Sequence, residues 1–151
     1  MLLINLNKLI STFFFFGYFP KLPGTFGTLG GVFLYILIFH YFKISNIHFL
    51  IVTIIIILLS IYTSHKSIKF FHNSDPKEVV IDEVAGFFVT MLFVPFSIVN
   101  IIIGFLLFRL FDVSKLFFVK KLERLPGGIG ITMDDVGAGI ISNVLLQIMI
   151  Y

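Results

Sequence analysis

The chain has 151 residues, a net charge of +3 with histidines neutral, and a mean hydropathy of +1.08. Hydrophobic residues make up 58% and charged residues 13%, against about 25% charged in a soluble domain, so the composition is that of a membrane protein. With no cysteine, disulfides, thiolate metal sites and cysteine nucleophiles are excluded, and no basic stripe with interleaved aromatics marks a nucleic-acid partner.

The length suits one domain, residues 1–151. The opening segment, MLLINLNKLISTFFFFGYF, has the lysine and apolar run of a signal peptide without a small-x-small cleavage site. It is read as a retained helix, interfacial or packed. Two apolar runs, Leu29–Phe42 and Ile47–Thr63, are separated by the polar turn KISN and predict a helical hairpin. Residues 64–83 form a polar stretch, followed by the uncharged run Val84–Phe108, which Pro95-Phe-Ser interrupts. A second polar stretch, Arg109–Asp135, precedes the last apolar run, Val136–Ile150.

Topology turns on Val84–Phe108. Its 25 residues could span a bilayer once, since about 20 suffice. Turned back at Pro95, each half would be about 20 Å long, short of the roughly 30 Å hydrocarbon core and in need of protein around it. The basic loops decide the preference. Lys66, Lys69 and Lys77 on one side of the run, and Arg109, Lys115, Lys120, Lys121 and Arg124 on the other, all favour the cytoplasmic face, which only the folded-back chain allows. The expected fold is therefore all-α: a polytopic membrane bundle with short helices and one polar face.

Four polar islands carry the chemistry. GYFPKLPGTFGT, from Gly17 to Thr28, is a rigid Pro/Gly loop whose Lys21, Thr25 and Thr28 can donate to an anion at a helix start. It reads first as an ordinary turn capped by Thr28, since it is no Walker loop. In DPKEVVIDEVAG, Asp82 and Glu83 precede an apolar helix, where the dipole alone favours acids. In FRLFDVSK, Arg109, Asp112 and Lys115 fall at i, i+3 and i+6 on one face, as a solvated stripe also would. PGGIGITMDD reads as a glycine loop delivering Asp134 and Asp135 to a helix mouth, where one of them could be an N-cap. Three acidic clusters on one face, beside Arg and Lys, repel unless a cation neutralises them. Hard oxygen ligands select Mg²⁺, Mn²⁺ or Ca²⁺, and Mg²⁺ commonly partners phosphate. These residues point to a membrane-embedded, Mg²⁺-dependent enzyme acting on a phosphorylated lipid. The four histidines have no assigned role.

In order and spacing, the segments FPKLPGTFGTLGG, DPKEVVIDEVAG, FRLFDVSK and GGIGITMDDVGAG resemble the signature segments of the phosphatidylglycerophosphatase A family, from about Gly17 to the C-terminus. The resemblance implies a helical, multi-pass enzyme of the cell inner membrane that uses Mg²⁺, with its site on the cytoplasmic face. Its substrate would be the lipid phosphatidylglycerophosphate, converted to phosphatidylglycerol and phosphate. Carried over by motif, the implied catalytic and metal-binding acids are Asp82, Glu83, Asp112, Asp134 and Asp135, with Asp75 as an outer candidate. Lys21, Thr25, Arg109 and Lys115 would be the phosphate-side residues, with water or a carboxylate as nucleophile. One departure stands out: Leu116 follows Lys115 where the family places proline, which implies a helix running on past Lys115.

Other phosphatase designs lack their residues here. There is no cysteine, no D-x-D pair near the N-terminus, no Arg/His signature of the metal-free lipid phosphatases and no D-x-x-D-G of the CDP-alcohol phosphotransferases. The competing class is a small non-enzymatic membrane protein that binds or conducts divalent cations, its acids lining an entry mouth.

Overall fold

The computed structural model describes residues 2–115 and 117–151. Among them there is no strand, and the helices are α1 (Leu2–Ser11), α2 (Pro23–Leu37), α3 (Asn46–Phe71), α4 (Ile81–Thr90), α5 (Ile98–Ser114), α6 (Phe117–Leu122) and α7 (Gly128–Ile150). Three are long and apolar enough to cross a membrane: α2 with its continuation to Phe42, α3 and α7. Their outward faces carry exposed apolar side chains such as Ile51, Ile55, Leu58 and Ile148. In a bilayer these face acyl chains at no hydrophobic cost, so the protein is an all-helical membrane bundle.

Several sequence boundaries move, each for a local reason. The opening helix stops at Ser11, because Phe13, Phe14 and Phe15 adopt left-handed backbone, with φ of 42°, 53° and 70°. Phe13–Phe15 therefore form a turn, and a short 3-10 helix follows over Phe16–Tyr18. The GTFGT end of the Pro/Gly loop, expected as a turn, is helical, with α2 starting at Pro23, whose fixed φ suits the first position. Thr28 lies inside α2 and donates to the Gly24 carbonyl at 2.9 Å, so it caps nothing. The KISN turn is present: a π-helical turn over Ile38–Phe42 leads to Lys43 in left-handed backbone, and the Ser45 side chain then caps α3. That helix runs through the first part of the polar stretch to Phe71, about 39 Å in all, and so projects beyond the hydrocarbon core.

The run from Val84 to Phe108 folds back. It divides into α4 and α5, separated by residues 91–97, and Asp82, Glu83, Arg109 and Asp112 all line one cavity. The short helix α4, only about 15 Å long, is the buried centre of the bundle, with residues 84–90 all inaccessible. It packs against α7, α2 and α3. Around its inner end gather Tyr35, Phe49, Phe87 and Phe88, with ring centroids 5.2–6.4 Å apart. Phe96 of the turn stacks on Tyr35 at 5.9 Å and fixes the fold-back.

A helix that ends inside a membrane leaves carbonyls that no water can satisfy. Here each of the last four is satisfied. The Met91 amide donates to the carbonyls of Phe87 and Phe88, and the Leu92 amide to that of Val89, each at 3.2 Å. The Asn143 side chain of α7 then donates to the carbonyls of Thr90 and Leu92, both at 2.8 Å. Gln147 accompanies it, donating to the Leu92 carbonyl and to the Asn143 side chain. Asn143→Leu removes both capping donors and is expected to cost about 1–3 kcal/mol, read as a fall of several degrees in the unfolding midpoint in detergent. An unchanged midpoint would show that α4 needs no cap from α7.

Candidate active site

Glycines place the acids. Gly86 of α4 and Gly139 of α7 meet where the two helices cross. A Cβ on Gly86 would lie 2.7 Å from the Asp135 carbonyl oxygen and 2.5 Å from the Phe108 ring, and a Cβ on Gly139 would strike the Gly86 carbonyl oxygen. Asp82 is four residues before Gly86, and Asp135 four before Gly139, so each acid shares a helix face with the glycine that makes the contact. The crossing that excludes every Cβ thus carries the two carboxylates to the same end. Asp82, Glu83 and Asp135 can each offer one oxygen such that all three lie within 4.8 Å of one another. Although Asp82 and Glu83 point about 100° apart around α4, both reach the cluster.

Asp134 and Asp135 are not at a helix mouth. The N-cap of α7 is Gly127, and both acids lie in its second and third turns, buried. The segment Gly128–Gly130, expected as part of a flexible loop, is helix. Its glycines admit neighbouring backbone: a Cβ on Gly128 would strike the Ile61 carbonyl oxygen of α3, and one on Gly130 the Leu125 carbonyl oxygen. Capping therefore explains neither acid. Asp82 and Glu83 do sit in the first turn of α4, where the dipole favours them, but they point into a closed cluster.

Burial dominates the electrostatics at the start of α4, which does not cross the membrane. It pushes the Asp82 carboxyl well above its ordinary value, with the Glu83 charge adding to the effect. It pushes Glu83 up to about 7, with Asp112 adding and the Arg109 guanidinium opposing. Asp82 Oδ1 and Glu83 Oε2 are buried without a hydrogen-bond partner among the described residues. Orphaned carboxylate oxygens, crowded together without enough donors, suit a hard divalent cation. Asp82, Glu83 and Asp135 are the residues that could hold it.

The far wall comes from α5. Arg109 pairs with Asp112 one turn on, and their side chains are only 17% and 15% exposed, which excludes a solvated stripe. Lys115 leaves that face. Helix α5 ends at Ser114 and Lys115 is its C-cap in left-handed backbone, so the helix does not run on; Leu116 lies outside the described residues. The Lys115 ammonium lies 2.9 Å from Glu123 and 3.5 Å from Asp134. Burial alone would lower its pKa, but the hydrogen bond to Glu123 and the charges of Asp134, Glu123 and Asp75 outweigh this and hold it above the ordinary lysine value.

These residues enclose a cavity of about 410 Å³ lined by Asp75, Asp82, Glu83, Asp112, Asp134 and Asp135 together with Lys77, Arg109 and Lys115. Of the expected phosphate-side residues, Arg109 and Lys115 line it. Lys21, which is exposed, and Thr25, which is half-buried, do not. The first island reaches the cavity instead through Leu22, Pro23 and Gly24. Leu22 adopts left-handed backbone and turns the start of α2 inward, where a Cβ on Gly24 would strike Glu83 Oε1 and lie 3.2 Å from the Arg109 guanidinium. Gly24 is expected only as part of the Pro/Gly loop, and Glu123 is not expected at the site. The signal for the first was a glycine directly after proline at a helix start, and for the second an acid just before RLPGG. Together the walls set a carboxylate cluster opposite the positive charges of Arg109 and Lys115, an arrangement that could receive a phosphoryl group. Gly86→Ala is expected to push α4 from α7 and separate Asp82 from Asp135, costing about 1–3 kcal/mol in the unfolding midpoint. A variant with wild-type stability and activity would contradict the crossing as the device that sets the site.

Comparison with known proteins agrees with this architecture. The family profile described as Phosphatidylglycerophosphatase A matches residues 9–150. A Haemophilus influenzae protein named Phosphatidylglycerophosphatase A is 32% identical over 95% of this chain and 88% of its own. An Escherichia coli protein of the same name is 30% identical over 86% of this chain and 75% of its own. A Bacteroides thetaiotaomicron protein provisionally named a phosphatidylinositol-3-phosphatase is 32% identical over 95% of this chain and 92% of its own. No solved structure matches the chain. With glycine-crossed acids facing Arg109 and Lys115, and a family match over nearly its whole length, the chain belongs to the phosphatidylglycerophosphatase A family and is an enzyme, a phosphoric monoester hydrolase.

Proposed function

We propose that the chain hydrolyses phosphatidylglycerophosphate to phosphatidylglycerol and phosphate, with Mg²⁺ as cofactor, at a site facing the cytoplasm in the cell inner membrane. The observation that carries this reading is the convergence of Asp82, Glu83 and Asp135 within 4.8 Å, in a cavity that also holds Arg109 and Lys115. Asp82, Glu83 and Asp135 would hold the cation, and Asp112 and Asp134 complete the acidic wall. Bound there, Mg²⁺ would neutralise the carboxylates and draw electron density from a phosphoryl oxygen. Arg109, oriented by Asp112, and Lys115 bind the remaining phosphoryl oxygens and stabilise charge as the phosphorus–oxygen bond to the glycerol lengthens. Water supplies a hydroxyl to the phosphate and a proton to the departing glycerol oxygen, so the reaction balances without an oxidant or reductant. The acyl chains stay outside, along the exposed apolar faces of the bundle, while the headgroup enters the polar end. The basic loops flanking α4 and α5 support a cytoplasmic orientation.

The test is phosphate release in detergent from phosphatidylglycerophosphate and, for comparison, from phosphatidylinositol 3-phosphate, the lipid suggested by the name of the Bacteroides relative. Release from the first in Mg²⁺, its loss in EDTA, and a fall of at least about a hundredfold in Asp135→Asn are expected. Faster release from the inositol lipid would move the proposal to that headgroup. No release from either lipid by folded wild type, with any divalent ion, would overturn it and favour a cation-binding protein.

A further inference from the structure

We propose that Glu123 is a positioning residue that sets the Lys115 ammonium for the phosphoryl group, an inference that rests on the phosphatase reading above. Lys115 caps α5, with its amide donating to the Phe111 carbonyl at 3.1 Å, so its Cα is fixed. Its side chain is not fixed by its own backbone, since four rotatable bonds separate Cα from the charge. Two carboxylates decide where the ammonium rests: Glu123 at 2.9 Å and Asp134 at 3.5 Å.

Those two acids differ in place. Asp134 lines both the 410 Å³ cavity and a second cavity of about 350 Å³ beside it, whereas Glu123 lines only the second. Glu123 therefore draws the ammonium toward the boundary between the cavities and away from full pairing with Asp134. It is well placed to do so. Its amide donates to the Val119 carbonyl at 3.2 Å, so it continues the last turn of α6. Helix α6 is in turn seated on α7: a Cβ on Gly137 would lie 2.6 Å from Leu122, and Gly137 is three residues beyond Asp134. The Glu123 backbone is thus held at a set place relative to α7, which carries the acid with which it competes.

The bland alternative is a surface ion pair. Lys115 and Glu123 are 37% and 40% exposed, and a pair so exposed contributes little to stability. That weakness separates the two readings. Without Glu123 the fold survives, but the ammonium closes on Asp134 or swings into solvent. The first ties up an acid of the cavity wall, and either one removes a charge from the phosphate.

The experiment is a double-mutant cycle on the full chain in detergent, with phosphatidylglycerophosphate as substrate. Glu123→Ala is expected to lower kcat about tenfold with KM within about twofold, and Glu123→Asp to restore part of the loss. On a Lys115→Met background, Glu123→Ala is expected to cost nothing further. An arm independent of activity joins Lys115 Nζ to the Glu123 carboxyl with a carbodiimide, which takes up the water as the amide forms; the linked peptides are read by mass spectrometry. Equal losses on both backgrounds, a Glu123→Ala variant matching wild type, or no Lys115–Glu123 link would each overturn the proposal. A folded wild type that releases no phosphate overturns the phosphatase reading and this inference with it, while the crosslink still reports the pair.

Discussion

The close crossing of α4 and α7 is the constraint on which the rest of the structure depends. Gly86 and Gly139 let the two backbones touch, and any side chain at either place would strike the other helix. Lipid supplies no hydrophobic force to press helices together, so close backbone approach through small residues is a principal source of packing in a membrane. The same approach carries Asp82 and Asp135 together one turn away. Fold and site are therefore one geometric fact.

The cost of that arrangement is electrostatic. Six acids and three bases line the cavity, and at the start of α4 burial works against ionisation of Asp82 and Glu83. Mutually repelling carboxylates buried among apolar helices oppose folding, so the bundle must hold them by packing elsewhere. The aromatic cluster around Tyr35 and the Asn143 cap at the opposite end of α4 are where it does so. A helix anchored firmly at its inner end can hold strained electrostatics at its outer end. A cation bound as proposed would relieve the repulsion.

Much of this was legible in the sequence. The apolar runs, the hairpin turn, the break at Pro95 and the gathering of Asp82, Asp112 and Asp135 on one face all follow from hydropathy and charge placement. Glycine was the main source of error, because it signals both loops and close helix contacts. GTFGT and GIGITMDD, whose glycines signal turns, are helices whose missing Cβ atoms face a neighbour's backbone or side chain. Only tertiary contact tells the two apart. Lys21 and Thr25 were expected on the phosphate side from their polarity, yet the left-handed Leu22 turns Gly24 inward instead. Glu123 was hidden because its partner, Lys115, is brought to it by a helix end that no local pattern marks.

The proposed function requires that the crossing assemble Asp82, Glu83 and Asp135 into one cation site. Its most direct test is electron paramagnetic resonance of Mn²⁺ added to chelator-stripped protein in detergent. Tightly bound Mn²⁺ is expected in wild type, displaced by Mg²⁺, with loss of that signal in both Asp82→Asn and Asp135→Asn. Undiminished Mn²⁺ binding in both variants, each folded as wild type, would contradict it.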